Sequence, residues 1–180
     1  MPRNRHRIDR ELKRGDIVTA AARQVREEGY AGLSVAAIAR ELGLAPNSIY
    51  WYFPSKDELF VAAVQSTIGE LLAAKPEPGT DVARELDWFV ERLAPLDRLR
   101  ADLYERSRAT GPVSDFVAQL DAEQERVLAA ALRGRVPEGE LESATRVLLG
   151  LINGTAISGM PVADRRDLIA YAFRRLTETA

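Results

Sequence analysis

Cysteine is absent from the 180-residue sequence, and histidine occurs once, as His6. The first absence excludes disulfides, thiolate metal ligands and a cysteine nucleophile; the second leaves a single imidazole, in a basic N-terminal segment. No glycine-rich phosphate loop and no Glu-x-x-His pair occur either, so the usual catalytic and metal-binding constellations are missing and an enzyme is not expected. Apolar runs stay well short of the roughly 18 residues of a membrane span. No charged-then-apolar signal pattern opens the chain, and the expected location is the cytoplasm. A sustained period-two alternation, the mark of a half-buried strand, is lacking throughout, which makes the expected class all-α.

What is present is ordinary globular material, 46% hydrophobic and 29% charged. The net charge of −2 conceals an asymmetry. Residues 1–57 carry 10 Lys and Arg against 7 Asp and Glu, whereas residues 58–180 carry 15 against 20. Most of the basic excess lies in Arg3, Arg5, Arg7, Arg10, Lys13 and Arg14, opposed only by Asp9 and Glu11. A basic first third on an acidic remainder suits a polyanion-binding module joined to a separate body; a solvated tail that aids solubility is the alternative.

Helical spacing of Ile17, Ala20, Ala21 and Val25 predicts a first helix over Leu12 to Glu28, stopped by Gly29. Ser34 then precedes a short second helix with Val35, Ile38, Ala39 and Leu42 on one face and Gly43 at its end. Pro46 suits the first position of a third helix, where its missing N–H would have had no partner. Two short helices across a tight glycine turn read as helix-turn-helix. Ser55-Lys56-Asp57-Glu58 forms a capping box for a fourth helix carrying Leu59, Phe60, Ala63, Ile68, Leu71 and Leu72, with a linker at Lys75 to Gly79. Five further helical segments follow, at about 80–94, 96–109, 112–133, 138–159 and 162–178, giving about nine in all.

A chain only 7% aromatic places Tyr50, Trp51, Tyr52 and Phe53 side by side. Ile49 and Phe53, four apart, face the core, so at least two of the other three look outward beside Pro46 and Asn47. A tyrosine there can lie along a sugar-phosphate strand and donate its hydroxyl to a phosphate oxygen; packing against the fourth helix is the alternative. Lys56 opposes the macrodipole in the first turn of its helix, a position favoured when an anion sits there. Simple solvation beside Asp57 and Glu58 is its other reading.

Residues from about Ile17 to Phe60, and above all "GLSVAAIARELGLAPNSIYWYFPSKDELF", resemble the DNA-binding domain of TetR/AcrR-family transcriptional regulators. The resemblance covers roughly the first third of the chain. It implies an N-terminal three-helix DNA-binding domain over 1–57, with its arm, and a C-terminal helical effector-binding and dimerisation bundle over 58–180. By resemblance Ser34, Ala45, Pro46, Asn47, Tyr50, Trp51, Tyr52 and Lys56 would contact DNA. Ala45 departs from the pattern, since many relatives carry a capping hydroxyl there, and Asn47 is left as the main polar side chain early in the helix. Asparagine can bond adenine bidentately in the major groove.

The implied protein is a ligand-responsive regulator, a repressor, that binds a palindromic double-stranded DNA operator as a homodimer and uses no cofactor. Gly150, Gly154 and Ser158 make a stripe of small residues, and Leu168, Ile169, Ala172, Phe173 and Leu176 an apolar face, for pairing with a second copy. Trp88, Phe89, Leu103, Tyr104, Phe116 and Leu120 lie where the family commonly holds a small-molecule effector, although core packing is the commoner role for each. Asn153 and Thr155 are polar groups in an apolar helix that suit either a pocket or the dimer. The rival from another class is a helical effector-binding or adaptor protein that does not bind specific DNA.

Overall fold

The computed structural model describes residues 2–74 and 81–178, with side chains described from Arg10 onward. The linker at Lys75 to Gly79 and the side chains of Arg3, Arg5 and Arg7 lie outside the described residues. The described chain is helical, with no strand among those residues, and divides into two compact units.

The first unit holds α1 (Pro2–Gly32), α2 (Val35–Glu41), α3 (Pro46–Tyr50) and α4 (Lys56–Ala73), together with residues 106–114. Helix α1 begins well before the expected Leu12, because the polar, arginine-rich residues ahead of it continue the helix without apolar spacing. It breaks where expected: Gly29 takes φ 70° and ψ −164°, a conformation open to glycine, and one further turn carries the chain to Gly32. Ser34 caps α2 by accepting from the Ala37 N–H at 3.2 Å, while its own N–H donates to the Gln24 side chain at 2.9 Å. The turn between α2 and α3 is closed by the Leu44 N–H donating to the Ala39 carbonyl at 2.8 Å, with Gly43 at φ 64°.

Helix α3 has Pro46 in its first turn and no side-chain cap from Ala45. It is five residues long, so Trp51 and Tyr52 fall in its closing turn, where the Tyr52 and Phe53 N–H groups both donate to the Ile49 carbonyl. Ser55 caps α4 by accepting from the Glu58 N–H at 3.1 Å. Ile17, Ala21, Val25, Ile38, Ala39, Ile49, Phe53, Leu59, Phe60 and Ala63 are buried as expected, whereas Val35, Leu42, Ile68 and Leu71 are half-buried and Leu72, in the last turn of α4, is 50% exposed. Exposed ion pairs Arg23–Glu41 and Arg26–Glu70, each 2.6 Å, join α1 to α2 and α4, and solvent screening keeps their contribution small.

The second unit contains α5 (Val82–Leu93), α6 (Asp97–Arg106), α7 (Pro112–Leu132), α8 (Leu141–Ile157) and α9 (Val162–Thr177), except for the few residues of α6 and α7 that fall within 106–114. Asp81 caps α5 by accepting from the N–H groups of Ala83 and Arg84. Short 3-10 turns, Ala94–Leu96 and Glu138–Glu140, precede α6 and α8, so α8 starts three residues later than the spacing predicted. Leu86, Val90, Leu128, Leu132, Val136, Ala144, Leu148 and Ile169 form its core, against which Leu151, Ala172, Phe173 and Leu176 are packed. No helix among the described residues is long and apolar enough to cross a membrane.

Candidate nucleic-acid interface

The candidate surface is built by two buried anchors. Ile49 is fully buried and Phe53 3% exposed, and the chain between and before them is thereby turned outward. Ala45, Pro46 and Asn47 are exposed, Tyr52 is half-buried, Tyr50 is 47% exposed and Trp51 82%. The fold gains little from an indole left in water, and aromatic residues so displayed suit a contact surface. Ser34 is half-buried and committed to its cap through Oγ.

Beside Tyr52 a hollow of about 250 Å³ is lined by Arg10, Glu11, Arg14 and Tyr52. Arg10 and Arg14 are one helical turn apart on α1 and both exposed; the Arg14 guanidinium also lies 4.8 Å from the Phe53 ring centroid. Two guanidinium groups against one carboxylate leave the hollow net positive, suited to a phosphate. Sequence reasoning placed both arginines in a basic segment without assigning them to the site. Their spacing on one face, i and i+4, was the signal available.

Lys56 has a different setting from the one its position suggested. Its ammonium lies 4.3 Å from the Tyr30 ring centroid, and the Arg106 guanidinium lies 3.6 Å from the same centroid. The Tyr30 hydroxyl donates to Asp57 Oδ1 at 2.7 Å, and Arg106 Nη2 donates to the same oxygen at 2.7 Å. Phe60 meets the Tyr30 ring edge-on at 5.0 Å. An electron-rich ring therefore stabilises the cation at the start of α4, and no bound anion is needed to account for it. Burial, the hydrogen bond to Asp57 and that carboxylate's charge push the Tyr30 phenol up to about 12, against a smaller pull from Arg106. Tyr30, Asp57 and Arg106 were not singled out from sequence, because Arg106 lies 49 residues beyond Asp57.

In the second unit the expected effector residues are split: Leu103 and Phe116 are buried, whereas Trp88, Phe89, Tyr104 and Leu120 are half-buried. Trp88 and Phe89 meet edge-on at 5.1 Å. The Tyr104 hydroxyl donates to Asp121 Oδ1 at 2.5 Å, and Arg100 donates to Asn153 Oδ1. Thr155 bonds back to the Leu151 carbonyl on its own helix at 2.6 Å. Arg165, 2% exposed, donates through both terminal nitrogens to the two Asp97 oxygens at 3.0 and 2.6 Å.

Of the residues expected to pair with a second copy, Gly150, Gly154 and Ser158 are exposed, while Leu168, Ala172, Phe173 and Leu176 are half-buried. Ile169 is the correction: 1% exposed, it belongs to the core of its own unit and has no side-chain surface left for a second copy. Val147, Ile157 and Tyr171, each about half exposed, are the large apolar groups this face displays instead.

Comparison with known proteins points to one family over the N-terminal residues. Residues 17–63 match the model for bacterial regulatory proteins, tetR family. Over that stretch, about a quarter of its length, the chain is similar to the TetR family. A regulator of Rhizobium meliloti, the HTH-type transcriptional regulator BetI, is 33% identical over 60 residues, 33% of this chain and 30% of its own length. The chain thus matches only about a third of that relative. Among solved structures, a transcriptional regulator from Rhodococcus sp. Rha1 superposes with a TM-score of 0.76 at 21% identity, covering 93% of this chain and 97% of its own. BioQ, solved with its natural double-stranded DNA operator, gives 0.66 at 21% identity, covering 92% and 98%. At these identities the structural likeness shows the fold.

Proposed function

We propose that this chain is a TetR-family transcriptional regulator that binds a palindromic double-stranded DNA operator as a homodimer and releases it in response to a small molecule. The observation that carries the reading is the display of Asn47, Tyr50 and Trp51 over buried Ile49 and Phe53, next to a positively charged hollow. Asn47 reads a base edge, Tyr50 and Trp51 make contact area, and Arg10, Arg14 and Tyr52 hold the phosphate backbone. Pairing through the α8 and α9 face, with Gly150, Gly154, Val147, Ile157 and Tyr171 exposed, supports two reading heads on two half-sites. Bound at a promoter, such a dimer represses by occlusion. A ligand lowers operator affinity to the extent that it favours a conformation with weaker DNA contacts.

Selection of duplexes from a random library, with the stoichiometry of the retained complex measured, tests the proposal. The expected result is an enriched palindrome bound by two chains. Binding without enrichment, or none at physiological salt, would sink the operator reading and favour a helical adaptor.

A further inference from the structure

The interior of the second unit contains a polar cluster that core packing does not account for. Asp97, Arg100 and Tyr104 lie on α6, Asp121 on α7, Asn153 on α8 and Arg165 on α9. Two carboxylates face two guanidinium groups, but their hydrogen bonds are unevenly shared. Both oxygens of Asp97 accept from Arg165, and Asp121 Oδ1 accepts from the Tyr104 hydroxyl. Arg100 donates to a neutral amide oxygen, that of Asn153. Burial lowers its pKa, opposed by the charges of Tyr104, Asp97 and Asp121 and reinforced by that of Arg165.

A guanidinium taken out of water is costly unless a carboxylate with matched geometry receives it. Arg100 is half-buried and so keeps some exposure to solvent. Its planar fork favours a planar anion with two oxygens. Arg100 forms no ion pair among the described residues, whereas the neighbouring guanidinium is held by Asp97, so a single negative charge matches it better than a dianion. Leu99 and Leu103 on the same helix are buried and apolar.

We propose that Arg100 is the anchor for a monocarboxylate effector with an apolar tail, its carboxylate accepting from the guanidinium alongside or in place of Asn153. The proposal rests on the ligand-responsive reading above and specifies the chemistry of that ligand. Arg100 then fixes the ligand's charge, and the half-buried Trp88, Phe89 and Leu120 are candidates for its tail.

The test uses the full-length protein with benzoate and octanoate, the matched amides benzamide and octanamide, and the matched amines benzylamine and octylamine. Melting temperature and affinity for the selected operator are both read. The expected outcome is a rise in melting temperature and at least a tenfold loss of operator affinity with a carboxylate, absent with its amide. Arg100→Met should abolish the carboxylate response by at least tenfold in concentration while keeping operator binding in its absence. Arg100→Lys, which keeps the charge and loses the fork, should weaken the response in part and serves if the methionine variant does not fold. An equal response to the amides or amines, or a carboxylate response that survives in both variants, overturns the Arg100 proposal and leaves ligand control standing. No response to any of the six compounds in either readout overturns the proposal and counts against ligand control itself.

Discussion

Trp51→Ala separates a contact surface from a packing feature more cleanly than any other change. With 82% of the residue exposed, only about a fifth of the roughly 250 Å² an indole can bury is covered by the fold. At about 25 cal/mol per Å² that cover is worth on the order of 1 kcal/mol, and less against a realistic unfolded chain. A domain of this size loses about 2–4 °C of melting temperature per kcal/mol, so the variant should melt within a few degrees of the parent. An aromatic anchor covered in a complex is worth about 2 kcal/mol or more, roughly a 30-fold loss of affinity. Ile49→Ala is the reference: fully buried two positions earlier, it should cost about 2–5 kcal/mol of stability. Thermal melts and fluorescence anisotropy with the selected operator read the two quantities on the same samples. A Trp51→Ala protein that melts like Ile49→Ala, or that binds operator within twofold of the parent, would refute the assignment of this surface.

Replacing Arg10 and Arg14 together with alanine should lower the slope of log affinity against log salt by about 1.8, at about 0.9 per phosphate contact, in an anisotropy titration across salt concentrations. Asn47→Ala should flatten the preference at one base pair of each selected half-site, by about 1–3 kcal/mol, when selection is repeated with the variant. Asp97→Ala leaves the Arg165 guanidinium buried and unpaired and should cost about 3–5 kcal/mol in urea unfolding, whereas adding Arg165→Met should recover most of that loss. The Tyr30 phenol, raised from 10.0 to about 12, stabilises the fold fully below pH 10; that contribution is lost as pH rises through 12, and a Tyr30→Phe protein should lack this part of the alkaline decline in melting temperature.

The parts of the fold legible in the sequence are those governed by nearest neighbours along the chain. Ser34 and Ser55 act as caps because a hydroxyl before a helix meets an N–H three residues on, and Gly29 and Gly43 turn the chain because their φ is positive. Ile49 and Phe53 were readable as anchors from a spacing of four. What escaped depends on residues far apart in sequence. The ring beneath Lys56 belongs to Tyr30 and the guanidinium above it to Arg106, and no local pattern joins these three. Ile169 was assigned to a pairing face because α9 is apolar over a wide arc, and only the packing of α5 and α8 shows which part of that arc is already used.

Helix α3, at five residues, is far below the length at which a helix sustains itself in water. It has no side-chain cap from Ala45, and its shape is imposed by the fixed φ of Pro46 at its start and by Ile49 and Phe53 from within. The outward residues Asn47, Tyr50 and Trp51 are therefore free to vary with little penalty to the scaffold. On the proposed operator-binding reading, mutation at those positions alone retargets the protein to a new sequence, and a library randomised there should yield folded variants of altered specificity.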